Sequence, residues 1–126
     1  MRKGIVFALV AAFVLLVPVG IAAAGQNDVI RLGSCGNASD WKVKVSPENG
    51  HLEVEFEVDQ NVSGDRWRVR IRHDGDLAFR GTRMTHGASG SFTVRIVEND
   101  TAGSDVFRAR ARNLSTDEVC AGSATF

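Results

Sequence analysis

From Trp41 onward, apolar and polar residues alternate with a period of two over most of the chain. That period turns successive side chains to opposite sides of a strand, and it does not fit a helix. Trp41, Val43 and Val45 alternate with Lys42 and Lys44. Leu52, Val54, Phe56 and Val58 alternate with Glu53, Glu55 and Glu57. Trp67, Val69 and Ile71 alternate with Arg66, Arg68, Arg70 and Arg72, and Phe92, Val94 and Ile96 with Thr93 and Arg95. Phe107, Ala109 and Ala111 alternate with Arg108, Arg110 and Arg112. Turn chemistry separates these runs: Ser46-Pro47-Glu48-Asn49-Gly50, Asp74-Gly75, Gly87-Ala88-Ser89-Gly90 and Asn99 to Ser104. Asp-Gly between two alternating runs is a strong hairpin signal. The pattern predicts seven strands, at about 41–45, 51–58, 66–73, 76–83, 91–97, 105–113 and 118–126. One apolar and one polar face per strand suits two sheets that bury their inner faces against each other, so the expected fold is an all-β, two-sheet antiparallel sandwich. Parity puts Phe56, Trp67, Phe92 and Phe107 in one core between the sheets.

The first 24 of the 126 residues read differently. Arg2 and Lys3 precede an unbroken apolar run from Ile5 to Val17, Pro18 and Gly20 end it, and Ala22-Ala23-Ala24 supplies small residues for cleavage before Gly25. This is the grammar of an export signal, with an uncleaved anchor as the alternative. Residues 1–24 are thus expected to be a signal peptide, and 25–126 a single β-sandwich domain without a transmembrane segment. The domain is too short for the larger enzyme folds. Loss of Arg2 and Lys3 leaves 13 of the 15 basic residues against 15 acidic ones, a net charge of −2. Such a balance does not point to nucleic acid as a partner. Two cysteines, Cys35 and Cys120, remain in the exported part, and the expectation is one disulfide between them. No C-x-x-C or H-x-x-x-H spacing favours zinc instead.

The alternating strands, Trp67 on the third of them and the stretch Gly103-Ser104-Asp105-Val106-Phe107-Arg108-Ala109 resemble an immunoglobulin-like sandwich. In that resemblance Phe107 takes the place of the strand F tyrosine and Ala109 that of the inter-sheet cysteine. The tyrosine-corner hydroxyl and the usual inter-sheet bridge are therefore missing. The chain also resembles small exported actinobacterial proteins, through Trp41-Lys42-Val43, Gly64-Asp65-Arg66-Trp67-Arg68-Val69 and a late cysteine. That group has no assigned activity, so the resemblance implies fold and export alone.

No catalytic constellation stands out. Gly87-Ala88-Ser89-Gly90-Ser91 falls one residue short of the G-x-S-x-G nucleophile elbow and links two strands, so a tight loop is expected. His51, His73 and His86 are scattered at strand ends and loops, where solvated side chains are expected. Asp59-Gln60-Asn61-Val62-Ser63-Gly64-Asp65 opens like a calcium loop, but Arg70 stands where the bidentate glutamate belongs. A polar loop with Asx turns is the plainer reading, with a weak calcium site completed by Asp100 or Asp105 as the alternative. The glycosylation sequons at Asn37, Asn61, Asn99 and Asn113 are expected to be exposed. Neither metal nor cofactor is expected.

The arginines are the informative feature. Period two puts Arg66, Arg68, Arg70 and Arg72 on one face of a strand, and Arg108, Arg110 and Arg112 on one face of another. In an immunoglobulin-like sandwich these strands are neighbours and would form one basic face, with Glu53, Glu55 and Glu57 in the other sheet. In a simple meander the same residues would form a glutamate–arginine ladder instead. Acids such as Asp76 or Glu118 could also neutralise the ribbon. The expected function is a non-catalytic secreted binding module, its ligand an anionic envelope polymer or a surface protein. A small hydrolase inhibitor presenting loop 59–65 or 84–90 is the alternative.

Overall fold

The computed structural model describes Gly25 and residues 27–126. The expected signal peptide, 1–24, lies outside the described residues. Eight strands follow: β1 (Val29–Ser34), β2 (Asp40–Glu48), β3 (His51–Asp59), β4 (Arg66–His73), β5 (Asp76–Met84), β6 (Ser91–Asn99), β7 (Val106–Asn113) and β8 (Val119–Thr125). They form two antiparallel four-stranded sheets, β1-β2-β3-β6 and β5-β4-β7-β8. Among the described residues no helix is long and apolar enough to cross a membrane.

The inner faces carry the core that alternation marked. Val43, Val45, Leu52, Val54, Phe56 and Val58 from the first sheet meet Trp67, Val69, Ile71, Phe107 and Ala111 from the second, all buried. Phe92 completes it, with its ring centroid 6.1 Å from that of Trp67. The four aromatics that parity grouped do share one core.

Eight strands rather than seven is a correction, and the extra one is β1. Its residues pair in register with β2 from Val29↔Val45 to Ser34↔Asp40. The pairing sends Val29, Arg31 and Gly33 inward while Ile30 and Leu32 face out, so the segment never alternates. As an edge strand it borrows its place from β2 instead of from a pattern of its own. The expected turn at 46–50 shrinks to Asn49-Gly50, with φ of 50° and 78°. Positive φ at both central residues is the hairpin geometry that Asn-Gly favours. Pro47 stays in β2 because β1 has already ended at Val45's partner, so its missing N–H faces no strand on that side.

The Cys35–Cys120 disulfide is present, with Cα atoms 4.4 Å apart across a separation of 85 residues. It ties the end of β1 to β8, and so one sheet to the other at their shared edge. Backbone and side chains reinforce the seam. Gly36 N–H donates to the Val119 carbonyl at 2.9 Å. The buried Glu118 carboxylate accepts from the Asn37 N–H at 2.7 Å and the Ser39 N–H at 3.0 Å, and from the Ser39 hydroxyl.

Candidate functional site: an arginine-faced sheet

Because β4 and β7 bury their apolar residues inward, parity turns Arg66, Arg68, Arg70 and Arg72 out on one and Arg108, Arg110 and Arg112 out on the other. The two strands are hydrogen-bonded neighbours. Arg68 stands opposite Arg112, Arg70 opposite Arg110 and Arg72 opposite Arg108. Arg66 lies beyond this ladder, opposite Met84 of β5. The meander alternative is excluded, since β3 and its glutamates pair with β2 and β6.

An eighth arginine joins the face, which sequence reasoning missed. A regular two-residue hairpin at Asp74-Gly75 would continue from His73↔Asp76 and Arg72↔Leu77 to set Arg80 opposite Val69, facing the core. A bulge between Ile71 and Arg72 shifts the register by one, so Arg80 stands opposite Arg70 and Phe79 opposite Ile71. One inserted residue flips the parity beyond it and aims Arg80 outward. No turn residue in the sequence marks that bulge.

The other sheet provides an internal contrast. There Lys42 lies 3.8 Å from Glu57, Lys44 3.4 Å from Asp28, and Arg95 binds both Glu55 and Glu53. Arg95 is held still more firmly protonated by the Glu55 hydrogen bond and the charges of Glu55 and Glu53. On the arginine face, the only ion pair among the described residues is Arg112 with Asp117, at 2.7 Å. The two acids named as alternative neutralisers form no ion pair with the ribbon. Glu118 is buried and committed to the 37–39 loop, and Asp76 sits in the hairpin opposite His73. Two depressions mark the face. One, of about 510 Å³, reaches from Arg70, Arg72, Arg108 and Arg110 across Ala121, Gly122 and Ser123 to Trp41, Arg31 and Leu32. The other, of about 400 Å³, lies among Arg68, Arg70, Arg80, Arg110 and Arg112.

No protein family, curated protein or solved structure matches this chain. Function must be argued from this surface.

The remaining polar clusters serve the fold. His73 is a correction, being half-buried rather than solvated. It stacks on Phe107 with centroids 4.4 Å apart, and its Nε2 lies 2.6 Å from Asp105 Oδ1. Asp105 is fully buried, and it also accepts from the Thr101 hydroxyl at 2.7 Å and from the Thr101 N–H. It thus anchors the turn before β7, the corner where the immunoglobulin-like resemblance lacks its tyrosine hydroxyl. His73, Asp74 and Asp105 come close enough to share a metal ion, but their atoms are already engaged with one another, with Thr101 and with the Val106 N–H.

In the 59–65 loop, Asp59 accepts the Asn61 N–H at 3.2 Å, an Asx turn as expected. Asp65 accepts from Gln60 at 2.6 Å and from Asn113 at 2.9 Å. Asp105 lies at the opposite end of β4 from Asp65, beside His73, so it cannot complete a calcium site there. Asn113 is the second correction among polar residues. It is fully buried, and its side chain also accepts the Ser115 N–H, so its sequon is not exposed. The 87–91 loop is tight, as expected: Gly90 N–H donates to the Gly87 carbonyl, and Ser89 bonds Ser91.

These hydrogen-bonded carboxylates give an acid-stability prediction. Burial alone would raise the Asp105 pKa, but hydrogen bonds from Thr101 and His73 outweigh it and hold the carboxyl below its ordinary value. Asn113 and Gln60 lower Asp65 in the same way. A depressed carboxyl contributes stability above its unfolded pKa, about 3.9 for aspartate. That contribution is lost as pH falls through the folded value. Glu53 acts in the opposite sense, raised by its hydrogen bond with Glu48, and offsets part of the effect. The urea midpoint is expected to hold between about pH 7 and 5 and to fall below about pH 4. Asp105→Asn should flatten that fall, and an equal fall in the variant would sink the assignment.

Proposed function

We propose that this chain is an exported, non-catalytic binding module whose arginine-faced sheet takes an anionic component of the cell envelope. One observation carries the reading: arginines on β4 and β7 stand directly opposite one another, and among the described residues only Asp117 answers them. Like charges on paired strands are destabilising. The same chain neutralises its other sheet with Lys42, Lys44 and Arg95 against acids, so uncompensated arginine is not its general habit. Guanidinium binds carboxylate, sulfate or phosphate bidentately, and same-face residues along a strand lie about 6.6–7 Å apart. A repeated anion suits that pitch better than a single one. Export is supported by the N-terminal apolar run and by the disulfide, a bond that persists in oxidising compartments.

Retention on heparin-like and phosphate-rich polymers, compared at low and moderate salt, tests this. The parent should be retained at low salt and released as salt rises. Replacing Arg68, Arg70, Arg108 and Arg110 by serine should weaken binding by roughly fourfold or more, since each exposed pair is worth about 0.2–1 kcal/mol. It should also flatten the salt dependence. No retention of the parent at low salt, or unchanged retention of the variant, removes the proposal.

A further inference from the structure

We infer that the ligand of this face is an anionic glycan, held along β8 with its sugar rings on a shelf of small residues beside Trp41 and its acid groups on Arg70, Arg72, Arg108 and Arg110. This rests on reading the face as a polyanion site, and it names the ligand class and the place.

The two depressions differ in chemistry. The one among Arg68, Arg80 and Arg112 is lined by five arginines and Val69. The larger one is mixed. On β8, exposed Ala121 stands opposite Arg110, and exposed Ser123 opposite Arg108. The β7 arginines therefore look across a low step instead of a wall. Beyond the step lie Trp41 and the edge strand β1, with Leu32 73% exposed and Arg31 beside it. Trp41 packs on two glycines, Gly33 of β1 and Gly122 of β8, and an added Cβ at either would overlap its ring. Those glycines keep both edge strands low around an indole that is only half-buried.

A positive wall beside an apolar step asks for a ligand with acid groups and hydrocarbon faces in alternation. An anionic glycan carries both, whereas an inorganic polyphosphate carries no apolar surface to place on the small-residue step of Ala121 and Gly122. Single-stranded nucleic acid is also an anion with rings, but it binds by stacking on open aromatic faces. The Trp41 ring is already packed on Gly33 and Gly122. The two depressions share Arg70 and Arg110. One chain can therefore continue from the mixed groove into the arginine-walled one, which favours a polymer over a small anion.

The test uses the exported domain with heparin as the glycan, linear polyphosphate and single-stranded DNA. Trp41 is half-buried and Trp67 fully buried, so quenching by neutral acrylamide reports chiefly on Trp41. Heparin should bind most tightly per unit charge and protect Trp41. Ala121→Glu and Ser123→Glu place a carboxylate opposite Arg110 and Arg108 at exposed positions, where the fold tolerates them. Each should weaken heparin binding at least tenfold. Val97→Glu, exposed on the opposite sheet, adds the same charge and should leave binding unchanged. Melting curves check that all three variants are folded. Polyphosphate or DNA binding as tightly and protecting Trp41 as well overturns the glycan while the polyanion face stands. Undiminished heparin binding by the Ala121 and Ser123 variants overturns the β8 location. Failure of all three polymers to bind the parent rejects the polyanion reading itself.

Discussion

Replacing both cysteines by alanine is expected to lower the stability of the domain by about 4–5 kcal/mol while leaving its folded spectrum unchanged. The bridge spans a separation of 85 residues and so closes nearly the whole described chain. In the chain-entropy account, the open chain gains freedom that the bridged one lacks, and the cost falls on the unfolded state. For a domain near 100 residues, where each kcal/mol shifts the midpoint by about 4–8 °C, the loss is roughly 16–40 °C in Tm. Alanine is the cleaner replacement, because Cys120 is fully buried and a serine hydroxyl there would need a partner. The native seam should survive, since Glu118 and the Gly36–Val119 hydrogen bond hold the same loop to β8. Thermal unfolding with and without the bridge measures the effect. A loss under about 1 kcal/mol would mean that the unfolded chain is already compact enough to make the constraint redundant.

The fold was legible in the sequence wherever burial is one-sided. Every strand with apolar residues at alternate positions, from β2 to β4 and again in β6 and β7, was found within a few residues of its observed ends. The Asp74-Gly75 turn marks where one hairpin reverses, with positive φ at both residues. What escaped was structure dictated by neighbours. β1 forms because β2 offers a free edge, and Arg31 and Gly33 occupy its inward positions with nothing in the sequence to mark them as inward.

The candidate face was legible in its residues but not in its extent. Parity alone put seven arginines on two outward faces, and the immunoglobulin-like resemblance made those faces adjacent. Arg80 required the bulge, and the bulge is a matter of how β5 curls Phe79 into the core. The β8 shelf required knowing that Gly122 and Gly33 meet one indole from two sheets. Neither glycine sits in a motif, and their meaning comes only from tertiary contact. The polar misreadings have the same origin. His73 and Asn113 lie at strand ends, where exposure is the ordinary expectation, yet each finds an aspartate across a loop, Asp105 and Asp65.

Trp67 is where the core and that polar end are joined. Its ring is fully buried against Phe92, while its Nε1–H donates to the Gln60 side-chain oxygen at 3.0 Å. Gln60 passes the connection to Asp65, and Asp65 to the buried Asn113 at the far end of β7. Trp67→Ala removes the largest buried side chain and is expected to cost about 3–5 kcal/mol. Trp67→Phe separates the two contributions. It keeps an aromatic ring in the core but leaves the Gln60 oxygen without its donor, for an expected loss of about 1–3 kcal/mol. If the network matters as argued, Gln60→Leu should make the subsequent Trp67→Phe change cheaper, because no oxygen then remains to be stranded. Urea unfolding of the two single variants and the double variant reads this coupling directly. A strictly additive cycle would leave Trp67 as core filling alone, and an unchanged midpoint for Trp67→Ala would contradict the packing of the two sheets around it.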